Sequence, residues 1–186
     1  MKKITYILMI TLLSSSLAFA QKKAKTPLAL LKKIHKLASK KKYEKLRPYL
    51  YQGVINDGPA KVKGKTMGDI ILMGMQKGNM GSDFSFNAEA LKTIIDKHSE
   101  RIIPITEALI KQLFGGEGKD FSQFTDLKRI ADNNPNDLYI FDHGGVHILI
   151  AKIDGGFKLV FWDGLKYFGK KENGKSTEPK KEDDGK

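Results

Sequence analysis

No cysteine occurs anywhere in the 186 residues. Disulfides, thiolate catalysis and cysteine-ligated zinc are therefore excluded, as is a lipid anchor on a mature N-terminal cysteine. The chain also lacks any Asn-x-Ser/Thr acceptor, which fits a bacterial source. Beyond residue 20 no apolar window approaches the roughly twenty residues needed to span a bilayer. Acidic residues are scarce in one region only. Gln21–Lys65 holds 14 Lys/Arg against two acids, Glu44 and Asp57, whereas Thr66–Lys186 holds 17 against 19. The positive excess downstream of residue 20 thus comes from one stretch, and such asymmetry points to an anionic partner.

What is present begins with Met1–Ala20, which has the three parts of a cleavable secretory signal peptide. Lys2 and Lys3 form the positive start, Ile4–Leu13 is apolar, and Ala18-Phe19-Ala20 is a small-x-small cleavage site. The expected working protein is exported to the periplasm, cell surface or medium. Gln21–Phe168 is then expected to form a single globular domain, and Gly169–Lys186, rich in Lys, Glu, Asp and Gly, a disordered tail.

Within the domain, Thr26-Pro27 supplies a capping hydroxyl followed by Pro at the first helical position. Leu30, Leu31, Ile34, Leu37 and Ala38 recur at helical spacing, with Lys32, Lys33, Lys36 and Lys40 on the other side. Tyr43–Tyr51 reads as a shorter helix interrupted near Pro48. Gln52–Lys65 is a Gly/Pro-containing connection with room for a short strand. Met67–Met75 reads as a buried helix, Asn87 as the cap of a helix reaching His98, Pro104 as the start of a helix over Ile105–Phe114, and Phe121–Ala131 as a further helix. Leu138–His143, Val146–Ile153 and Phe157–Trp162 are β-rich runs separated by Gly144-Gly145 and Asp154-Gly155-Gly156, which predicts a three-stranded antiparallel meander. Helices first and a meander last imply an α+β domain.

The helix–break–helix of Leu30–Tyr49, followed late in the chain by Phe157–Trp162 as a closing strand, resembles NTF2-like (cystatin-like) domains. That resemblance implies a curved sheet around a small-ligand or catalytic pocket. Hairpin geometry adds candidates for its mouth. A two-residue Gly144-Gly145 turn sets Asp142 directly across from His147, and a three-residue Asp154-Gly155-Gly156 turn pairs Ile153 with Phe157 and Ala151 with Leu159. Alternation then places Ile140, Asp142, His147, Leu149, Ala151, Ile153, Leu159 and Phe161 on one face. A carboxylate beside an imidazole is a usable general-base arrangement, although no nucleophile accompanies it.

Other near-motifs fail on chemistry. His143 and His147 should point to opposite faces, which argues against a shared metal. Gly58–Thr66 approaches a phosphate-binding loop but has five residues, not four, before Gly64-Lys65-Thr66, and Pro59 lacks an amide hydrogen. No metal, nucleotide or other cofactor is expected.

The lysines carry the leading expectation. Lys32, Lys33, Lys36, Lys40, Lys41, Lys42, Lys61, Lys63 and Lys65 would form a cationic surface for a polyanion: envelope lipid headgroups, polysaccharide, glycosaminoglycan, or an acidic protein. Nucleic acid is the weaker partner, because Arg is nearly absent from the cluster and few aromatics are interleaved with it. A non-enzymatic binding protein follows, with the Asp142/His147 pocket as the alternative.

Overall fold

Thr26 is extended, and its Oγ1 accepts a hydrogen bond from the Ala29 amide at 3.1 Å, starting α1 (Pro27–Ala38). The computed structural model describes residues 23–54, 63–77, 86–106, 125–164 and 168. One side of α1 buries Leu30, Leu31, Ile34 and Ala38. The helix closes in a Schellman motif: the Lys42 amide donates to the Leu37 carbonyl and the Lys41 amide to the Ala38 carbonyl. Lys41 therefore occupies the left-handed position, φ 54°, usually taken by glycine.

The next segment, Tyr43–Tyr49, is a 3-10 helix with Pro48 inside it. A proline there has no amide to donate, so the tighter and shorter helix replaces an α-helix. It buries Leu46 and Tyr49 and delivers Leu50 to a parallel bridge with Leu159. Thr66 then caps α2 (Met67–Lys77): its hydroxyl accepts from the Asp69 amide at 3.0 Å and donates to the Asp69 carboxylate at 2.8 Å. The Gly68 amide reaches the Tyr51 carbonyl at 2.7 Å. That approach needs glycine, since a Cβ at 68 would lie 2.9 Å from the same oxygen.

Asn87 caps α3 (Ala88–Lys97) as expected, its Oδ1 accepting from the amides of Glu89 and Ala90. Beyond it the expected helix start at Pro104 is corrected. Ile102–Pro104 is an edge strand, β1, and Ile105 donates to the Leu138 carbonyl. An edge position tolerates the missing proline amide, and a three-residue strand leaves no period to read. Most of the helix expected over Ile105–Phe114 lies outside the described residues, as do Met1–Ala20 and the tail. A further α-helix among the described residues, α4 (Thr125–Asn133), precedes β2 (Leu138–His143), β3 (Val146–Ile153) and β4 (Gly156–Asp163).

The described residues form an α+β fold, with four antiparallel strands in the order β1-β2-β3-β4. Gly144-Gly145 forms the expected two-residue turn, both at positive φ. The second turn is shorter than expected. Asp154 and Gly155, at φ 53° and 72°, make a two-residue turn, so Ile153 pairs with Gly156 and Ala151 with Lys158. The hairpin geometry favoured by Asp-Gly outweighs the longer alternative. Leu159 consequently opposes Ile150 and shares its face, not that of Ala151. Val160 is an extra residue opposite the Leu149–Ile150 step, a bulge that returns Phe161 to its expected partner, Leu149.

Burial is deep on both faces of β3: Ile148 and Ile150 on one, Leu149 and Ala151 on the other. Trp162 packs in the same core, its ring 5.6 Å from that of Phe86. The outer edge of β4 is covered at two points. The Phe157 amide donates to the Ala24 carbonyl, and the Leu159 carbonyl accepts from the Tyr51 amide. Lys158 lies between them.

Candidate functional site

Because α1 buries its apolar side, its lysines are turned outward. Lys32, Lys33 and Lys36 are exposed, and so are Lys40, Lys41 and Lys42 in the turn that follows. None takes part in an ion pair among the described residues; those pairs use Arg47, Lys92, Arg101, Lys128, His147 and Lys152. Lys33 lies over the ring of Tyr49, its Nζ 5.7 Å from the centroid. Lys32 and His35 are near enough to Asp96 to help hold its carboxyl below the ordinary value, though the main cause is the hydrogen bond from Lys92.

The later lysines divide. Lys61 lies outside the described residues, Lys63 is exposed, and Lys65 is half-buried with its Nζ 3.8 Å from Met73 Sδ. Lys65 lines a cavity of about 340 Å³ with Glu44, Arg47 and Asp69. Arg47 and Asp69 pair there at 2.7 Å. Burial pushes the Asp69 carboxyl up, but the Thr66 hydroxyl and the Arg47 guanidinium outweigh it and hold the group below its ordinary value. Positive charge near Lys65 is thus partly compensated by an ion pair within the fold, whereas among the described residues the lysines of α1 and its turn form no ion pair.

The expected Asp142–His147 pair forms. The residues oppose each other across β2 and β3, with His147 Nδ1 3.2 Å from Asp142 Oδ1. The register adds Asp163, directly across from His147 on β4, so the imidazole stands between two carboxylate positions. Both members of the pair are open to water, His147 at 47% and Asp142 at 63% exposure. His143 turns to the other face, where its ring lies 5.0 Å from that of His98. His143 and His147 are not brought together.

Sequence reasoning missed a second cationic site. A cleft of about 540 Å³ opens between Lys23–Ala24, the Tyr43–Tyr49 segment and the β3–β4 hairpin. Lys23, Arg47 and Lys158 reach it from three distant parts of the chain. Lys158 Nζ donates to the Pro48 carbonyl, and Lys23 Nζ to the Asp154 carbonyl. Burial pulls the Lys158 ammonium below its ordinary value, and nearby Lys23 adds to the effect against an opposing pull from Asp154. The only sequence signal was a lysine inside an apolar strand, Phe157-Lys158-Leu159.

No family model, curated protein or solved structure matches the chain.

Proposed function

We propose that this is an exported, non-enzymatic binding protein whose lysine-rich N-terminal surface engages a polyanion. The observation that carries the reading is the one-sided charge of α1. Lys32, Lys33 and Lys36 stand opposite a buried apolar face, Lys40–Lys42 extend the patch, and no described ion pair neutralises them. Lysine suits a repeating anionic polymer or a headgroup layer, where many point contacts matter more than bidentate geometry. Each lysine held near an anionic surface contributes on the order of 1 kcal/mol before salt screening.

The test is binding across a salt series to heparin and, separately, to vesicles of phosphatidylglycerol in phosphatidylcholine. The expected result is binding at low salt that weakens steadily as salt rises. A variant carrying Lys32→Gln, Lys36→Gln, Lys40→Gln and Lys42→Gln should lose at least tenfold on the ligand that binds. The two arms separate polymer from lipid. Absence of binding to both at low salt, or an unaffected variant, would remove the proposal.

A further inference from the structure

We propose that the cleft between Lys23–Ala24, the Tyr43–Tyr49 segment and the β3–β4 hairpin binds a small amphipathic monocarboxylate. The inference does not rest on the polyanion reading, for it uses neither the α1 lysines nor the turn that follows them. At about 540 Å³ the cleft lies within the range, roughly 300–1,000 Å³, of small-molecule sites. Pro48, Tyr49, Ile153 and Phe157 give it apolar walls. Phe157 is fixed edge-on against Tyr139, with ring centroids 5.6 Å apart, so that wall is preformed.

Three cations, Lys23, Arg47 and Lys158, reach the cleft beside Glu44 and Asp154. The Arg47 guanidinium, the group suited to bidentate phosphate recognition, is already engaged by Asp69 at 2.7 Å. That leaves the ammonium groups of Lys158 and Lys23, which are single-point partners. Lys158 is the better placed, between the two points where the edge of β4 is covered. Burial has removed part of its hydration, and only one of its three donors goes to the Pro48 carbonyl in the described contacts. A carboxylate oxygen would accept from a second donor of this ammonium while an apolar body lies along Tyr49 and Phe157.

The test compares decanoate with decan-1-ol, which has the same chain without the charge, by calorimetric titration of the purified protein. Decanoate should bind at least tenfold more tightly. Lys158→Met should lower decanoate affinity about tenfold and leave decan-1-ol unchanged, while Lys158→Arg should retain most of the preference. In the unaltered protein, amide shifts on adding decanoate should cluster at Ala24, Gln52, Gly156 and Phe157, a readout independent of whether the variants fold. Equal binding of acid and alcohol, no binding of decanoate, or shifts confined to α1 would overturn the proposal. Heparin should leave decanoate affinity unchanged; competition between them would overturn the assignment to the cleft.

Discussion

Gly164 lies against the carbonyl of Gly145: a Cβ built at 164 would stand 1.8 Å from that oxygen, at φ +70°. The end of β4 is thereby locked to the β2–β3 turn by backbone contact, without any side chain. Gly164→Ala should cost about 2–3 kcal/mol, because both the overlap and the left-handed backbone oppose it. Gly145→Ala is the control, with similar φ of +72° but nothing within 4 Å, and should cost about 1 kcal/mol. Urea midpoints of the two variants check the difference, and equal losses would refute it.

At the end of α1, Lys41 holds a left-handed conformation in the Schellman closure. Lys41→Gly should raise stability by about 0.5–1 kcal/mol, since glycine takes that conformation without a steric penalty. Thermal melts at low protein concentration measure it. A lowered melting temperature would mean that the lysine side chain contributes more to the fold than its exposure suggests.

Asp69 sets a pH dependence. Its folded-state value is depressed, so the folded protein binds this proton less readily than the unfolded chain. The stabilisation is complete above about pH 4, the ordinary carboxylate value, and is lost as pH falls through the folded value. Asp69→Asn should therefore be less stable at pH 7 and show a shallower loss between pH 5 and pH 2. Parallel pH profiles for the two proteins would contradict this assignment.

The Asp142–His147 pair should matter little to stability. Both side chains are open to water, so Asp142→Asn or His147→Ala should change unfolding free energy by no more than about 0.5 kcal/mol. Chemical denaturation at neutral pH decides the matter. A loss several times larger would show a role that an exposed pair does not explain.

Legibility followed the range of the interactions. Thr26-Pro27 and the spacing of Leu30, Leu31 and Ile34 defined α1 within one helix, and Asn87 announced α3. Gly144-Gly145 brought Asp142 across from His147 because two glycines at positive φ force that register. Elsewhere local signals ran out. Ile102–Pro104 became a strand only because β2 lies beside it, and three residues cannot display a period. Asp154-Gly155-Gly156 held two turn lengths, and Val160 reconciled one with the outer pairing by a bulge that no pattern marks. The cleft was hidden for a similar reason. Residues 23, 47 and 158 meet through tertiary packing alone.

The bulge at Val160 divides β4 into two segments with independent phase. Gly156–Leu159 takes its phase from the Asp154-Gly155 turn, while Phe161–Asp163 keeps the same partners that an unbulged strand after a three-residue turn would have. The strand thus works as a slip joint: a change in turn length can be taken up at Val160 and need not travel to Trp162. Its effect would fall on Phe157 and Lys158, exchanging the sides to which they project. The length of a surface turn is in this way coupled to how Phe157 and Lys158 are set against the cleft that both of them line.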